Sequence, residues 1–156
     1  FVDCATFELM IEQGDFLEHA RVFDHYYGTS RSPVDKALAA GQKVILDIDW
    51  QGARKVRQAA PGSVTGFFLP PSVEVLAERL AGRGRDSADE IHFRMERAIS
   101  EMGHFEEYDH VLVNDRFEDT VAQLKELVLE GRLPTSINRQ DAATLVKSAE
   151  NVRLKS

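Results

Sequence analysis

The stretch KVILDID, Lys43 to Asp49, packs four aliphatic side chains into a short run and closes with two aspartates one residue apart. An apolar run of this length without alternation is the mark of a strand buried on both faces. Such strands belong to parallel sheets with helices on both sides. Downstream the pattern continues in strict alternation. A helix is expected over about 50–58, then a Pro61-Gly62 break, a second apolar run VTGFFL (64–69) and a helix SVEVLAERL (72–80). After the glycine-broken loop AGRGRD (81–86), Ser87 and Glu90 form a capping box that opens a long helix with Ile91, Met95, Ile99 and Met102 at helical spacing. DHVLVND (109–115) reads as a third buried strand, and FEDTVAQLKELVLEG (117–131) as a closing helix.

Upstream, Phe7, Met10 and Ile11 share one helical face and Gly14 follows as a stop, predicting a helix over 3–13. DFLEHARV and the region around Tyr26-Tyr27 should be extended. Ser32-Pro33, with Asp35 as the capping-box acid, predicts the start of a helix that Gly41 closes. Residues 134–156 read as a polar tail with a weak helical pattern. No internal repeat is present. The alternation predicts a doubly wound α/β domain, a parallel sheet with helices on both faces. Its ligands should lie at the carboxyl ends of the strands, where Asp47, Asp49 and Asn114 fall.

Bulk composition narrows the function. With 156 residues, 43% hydrophobic and 29% charged, the chain has the size and balance of one ordinary globular domain. Cys4 is the single cysteine, which excludes an intramolecular disulfide and favours a reducing compartment. No apolar run nears the roughly 20 residues that span a bilayer, and the opening FVDCATFELM lacks a basic leader, so a cytoplasmic protein without a membrane partner is expected. A net charge of −7 argues against general nucleic-acid binding. Positive charge is nonetheless concentrated at Arg79, Arg83, Arg85 and Arg94, which suits a small polyanion. Oligomeric state is not readable from the chain.

Two kinds of side chain carry candidate chemistry. Carboxylates ending a buried strand need a partner or a cation, so Asp47 and Asp49 suit a hydrated Mg²⁺ or the donors of a nucleobase. Equally, they can simply end the strand and cap the next helix. Arginines on and beyond a glycine-rich helix end suit closure over phosphate oxygens, and a solvated face is the plain alternative. Tyr26 and Tyr27 read as one core and one surface ring. The five histidines and Cys4 show no zinc spacing, and Trp50 suits helix-start packing.

Taken in order and spacing, FLEHA, YYGTSR, LDIDWQGA, LPPS, RLAGRGRDS and VLVND resemble guanylate kinase, a P-loop family that moves phosphate from ATP to GMP with Mg²⁺. The resemblance spans about residues 1–132. It implies a P-loop NTPase-like sheet, with residues 1–32 the remainder of a GMP-binding subdomain, 33–132 the core with a lid at about 81–95, and 133–156 a tail. It further implies that Glu18 and Asp49 accept hydrogen bonds from guanine, that Thr29 contacts the base and that Tyr27 contacts the GMP phosphate. Asp47 would organise Mg²⁺ through water; Arg79, Arg83 and Arg94 would gather on the phosphates, with Asn114 nearby.

The family's phosphate loop, G-x-x-x-x-G-K-[ST], has no counterpart here; Gly41-Gln-Lys43 runs into the apolar run instead. The expectation is therefore an N-terminally incomplete kinase, inactive by itself, with unpaired backbone and an open apolar slot where a first strand belongs. Two alternatives stand beside it. One is a non-catalytic guanylate-kinase-like binding module, against which Asp47 and the arginines speak. The other is a sister kinase acting on a ribose phosphate, against which Glu18, Thr29 and Asp49 speak.

Overall fold

DFLEHARV and the tyrosine pair fold together as an antiparallel hairpin, β1 (Phe16–Val22) on β2 (His25–Ser30), in a computed structural model that describes residues 1–22, 25–82, 87–131 and 137–153. The chain divides into two compact units, residues 1–63 and 64–156. In the first unit, α1 (Cys4–Gln13) starts on Asp3, whose carboxylate accepts from Thr6 N–H at 2.7 Å. It stops at Gly14, whose φ of 72° is the left-handed value that favours glycine. Phe7 of α1 stacks on Phe16 at 4.4 Å and on Tyr26 at 5.0 Å, and the Tyr26 hydroxyl donates to Glu8. Alternation along a strand puts every second side chain on the same face. With Tyr26 turned toward α1, Tyr27 and Thr29 occupy the opposite face.

Helix α2 (Arg31–Ala39) begins earlier than the Ser32-Pro33 reading. Ser30 is its N-cap, without a side-chain hydrogen bond, and Pro33 lies inside the first turn. That position is tolerated because the first four N–H groups of a helix have no partner within it. Gly41, at φ 76°, follows the helix end.

KVILDID departs most from expectation. Residues 42–49 join no ladder among the described residues, and Ile45 is 62% exposed. Burial alternates instead: Val44, Leu46 and Ile48 are half-buried, while Lys43, Ile45, Asp47 and Asp49 are exposed. An apolar run signals side chains that favour burial, but a strand exists only where neighbouring backbone supplies hydrogen bonds. Helix α3 (Trp50–Ala59) follows and buries Gly52, Ala53 and Val56. It is tied to β1 by the Lys55 ammonium, which donates to the His19 carbonyl, and the Arg54 guanidinium lies 4.5 Å above the Trp50 ring.

The second unit is built on two parallel strands, β3 (Gly66–Leu69) and β4 (His110–Val113), in register from Gly66 opposite His110 to Leu69 opposite Val113. The parallel sheet thus has two strands among the described residues, where three apolar runs predict three. At its entry Asp109 accepts from both the N–H and hydroxyl of Thr65, each at 2.8 Å, which satisfies a buried threonine. Leu69 and Leu112 are fully enclosed. Between the strands run α4 (Val73–Ala81), capped by Ser72, and α5 (Ala88–Met102), opened by the expected Ser87–Glu90 capping box. A short 3₁₀ turn, Phe105–Glu107, leads into β4, and α6 (Phe117–Glu130) ends at Gly131.

Residues read as a polar tail instead form α7 (Arg139–Arg153), which enters the core. Ala142, Val146 and Ala149, spaced four and three apart on one face, pack with Val73, Ile99, Met102 and Phe105. Two alanines bring helices close but add little to a hydrophobic pattern, so the face is hard to read from sequence. Arg139 fastens the helix start by donating to the Glu106 and Tyr108 carbonyls, and Ile137 N–H donates to the Val111 carbonyl. No helix among the described residues is long and apolar enough to cross a membrane.

Candidate functional site

The hairpin register decides the site. Glu18 lies directly opposite Thr29, and Ala20 opposite Tyr27, so Glu18, Thr29 and Tyr27 share the face turned away from α1. Thr29 Oγ1 donates to Glu18 Oε1 at 2.6 Å, a charge-assisted bond between half-buried side chains. Tyr27 is 58% exposed.

Asp49 reaches the same place from the other side. It is the N-cap of α3, and its Oδ1 accepts from Gly52 N–H at 2.7 Å. A Cβ built on Gly52 would lie 3.4 Å from Asp49 Oδ1 and 3.5 Å from Glu18 Oε2. Both carboxylates therefore border the first turn of α3, where backbone N–H groups and the helix dipole favour negative charge. The structure brings Glu18, Thr29 and Asp49 together. In doing so it also grants Asp49 the capping role, which the acid fills through Oδ1. The sequence reading did not single out Gly52, although a glycine in a helix's first turn, where alanine is the better helix former, is a usable signal.

Asp47 is exposed, two residues before Asp49 and on the same side of the alternating segment. In the second unit, Arg79 lies in the last turn of α4 and donates to the Asn114 carbonyl at 2.8 Å and the Asp115 carbonyl at 3.2 Å. Those carbonyls sit just past the carboxyl end of β4. Asn114 itself continues the β3–β4 ladder, its N–H donating to the Leu69 carbonyl, and its Oδ1 accepts from Thr120. The structure thus pairs Arg79 with Asn114. Arg94 is exposed on α5. Arg83 falls outside the described residues, as do most of the expected lid loop's arginines and glycines at 83–86. No cluster of three metal-ligating side chains occurs among the described residues.

The guanylate kinase family model matches residues 1–130. Curated guanylate kinases from Chromohalobacter salexigens and Haemophilus ducreyi are 59% and 52% identical over 128 and 136 residues. Those matches cover 82% and 87% of this chain, but the chain spans only 60% and 66% of the two relatives' own lengths. The guanylate kinase of Escherichia coli is 46% identical over 146 residues, 94% of this chain and 70% of its own, a match that runs into α7. A crystal structure of guanylate kinase from Anaplasma phagocytophilum superposes with a TM-score of 0.66 at 29% identity, over 91% of this chain and 70% of that one. A family model covering most of the sequence, relatives at half identity or better and a shared α/β fold agree: the chain belongs to the guanylate kinase family.

Proposed function

We propose that the protein transfers the γ-phosphoryl group of ATP to GMP, giving ADP and GDP, and acts in the cytoplasm. The observation that carries this reading is the meeting of Glu18, Thr29 and Asp49 at the first turn of α3. Guanine presents a ring N–H and an exocyclic amine side by side, two donors that match two acceptor carboxylates. A pair of acceptor carboxylates rejects a base that leaves them unpaired, by more than shape alone achieves. Thr29 orients Glu18, and Tyr27 offers its phenol to the phosphate of the same nucleotide.

Phosphoryl transfer asks the protein chiefly for positioning and charge neutralisation. In this reading Arg79, Arg83 and Arg94 supply the positive charge, Arg79 by exchanging its two backbone carbonyls for phosphate oxygens, with Asn114 beside it. Asp47 fits Mg²⁺, which takes one or two carboxylates and keeps most of its waters; an exposed single carboxylate is a suitable donor. Bound with ATP, Mg²⁺ would neutralise charge on the phosphates. In this reading residues 1–32 belong to the GMP-binding subdomain, about 81–95 to the lid, and the core that begins at 33 runs past 132 to include α7.

A coupled ADP-release assay on the full-length protein tests the reading. GMP-dependent turnover is expected, and Glu18→Ala should raise the KM for GMP and erode the preference for GMP over AMP. Binding of GMP without ADP release would point to a non-catalytic binding module. An unchanged base preference in Glu18→Ala would remove Glu18 from the site.

A further inference from the structure

Gly52 has no backbone reason to be glycine. The positive-φ glycines among the described residues are Gly14, Gly41 and Gly131, so Gly52 has a conformation open to any residue. It sits in the first turn of α3, buried, where alanine would form helix better. The reason must lie in what a side chain would meet. A Cβ there would come to 3.2 Å from Ile48 Cβ, a tight approach, and into ordinary contact with Asp49 Oδ1 at 3.4 Å and Glu18 Oε2 at 3.5 Å. Two of its three nearest neighbours are carboxylate oxygens from different segments of the chain. Meanwhile the Gly52 N–H donates to Asp49 Oδ1 at 2.7 Å and fixes where that acid points.

We propose that Gly52 is a specificity-determining residue: its bare Cα keeps open the space between Glu18 and Asp49 into which the edge of a guanine base fits, while its N–H aims Asp49 into that space. This rests on the guanine-binding reading given above. A methyl group at this point would place apolar surface against both acceptors and take the room their hydrogen-bond donors need. The effect should fall on the base and not on ATP. Because the methyl acts through Glu18, removing the Glu18 charge should mask it.

The experiment is steady-state kinetics of the full-length protein with GMP and AMP as acceptors, for wild type, Gly52→Ala, Glu18→Gln and the double variant, alongside thermal melting. Wild-type turnover with GMP tests the proposed function by itself. Given that turnover, Gly52→Ala is expected to fold, to raise the KM for GMP roughly tenfold and to lower the GMP-over-AMP preference by a similar factor, in line with the worth of a methyl-sized misfit in a binding pocket. The KM for ATP should stay unchanged. In the Glu18→Gln background the same alanine should cost clearly less, since residues sharing one interaction are non-additive. A folded Gly52→Ala with wild-type preference overturns the proposal, as does full additivity with Glu18→Gln. An unfolded Gly52→Ala also overturns it, because the contact with Ile48 would then decide the position.

Discussion

Thr29 Oγ1 donates to Glu18 Oε1 at 2.6 Å between residues that face each other directly across the β1–β2 hairpin. The bond occupies one carboxylate oxygen and holds the other, Oε2, toward the first turn of α3. Strand pairing thereby does the work of orientation. A slip of one residue would send Glu18 to the α1 face, where Phe7, Phe16 and Tyr26 already stack.

Thr29→Val keeps the shape of the side chain and removes the donor. Hydrogen bonds to charged groups are worth about 1.5–3 kcal/mol, so the KM for GMP should rise by roughly tenfold or more while the KM for ATP holds. Steady-state kinetics with each substrate varied checks this. An unchanged GMP constant would show that Glu18 needs no such support.

Asp49 separates two roles by substitution. Asparagine caps helices about as well as aspartate, whereas alanine at an N-cap costs about 1 kcal/mol. Asp49→Asn should therefore melt like the wild type yet bind GMP more weakly. Asp49→Ala should lose on both counts. If both variants bound GMP normally and differed only in melting, the residue would be a cap and nothing more.

Ala149 tests whether α7 belongs to the core of its unit. It is fully buried among Val73, Ile99 and Met102. Inserting a larger side chain into a packed site costs about 1–3 kcal/mol, so Ala149→Leu should lower the denaturant midpoint with little change in slope. Ala149→Leu with wild-type stability would mean that α7 leaves the core in solution.

Glu90 supplies a pH signature. The Ser87 N–H donates to its carboxylate at 2.7 Å and, with the Ser87 hydroxyl, holds its pKa below the ordinary value of 4.5. A carboxyl depressed in the folded state adds stability above its unfolded pKa, and that contribution is lost as pH falls through the folded one. The start of α5 should accordingly be intact at neutral pH and loosen on acidification below 4.5. The Ser87 amide resonance should follow the Glu90 titration, and Glu90→Gln should abolish that response. A Ser87 amide that ignores pH in this range would show that the capping box does not form.

Local signals were legible wherever a single side chain or a short period decides the outcome. Gly14 ends α1, the Ser87–Glu90 box opens α5, and the apolar runs around Leu69 and Leu112 became β3 and β4. The candidate site residues Glu18, Thr29 and Asp49 were nameable because their motifs resemble a family's. The sequence by itself determined these elements and the chemistry available to them, since capping, helix periodicity and side-chain type act within a few residues of chain. Only the tertiary structure decided that residues 42–49 join no ladder among the described residues, that Ala142 and Ala149 bury α7, that Arg79 holds the carbonyls after β4, and that Gly52 lies beside two acids. Each of these depends on which distant backbone or side chain arrives alongside. Strand pairing, close helix approach and carboxylate convergence are properties of neighbours in space, and local pattern does not record them.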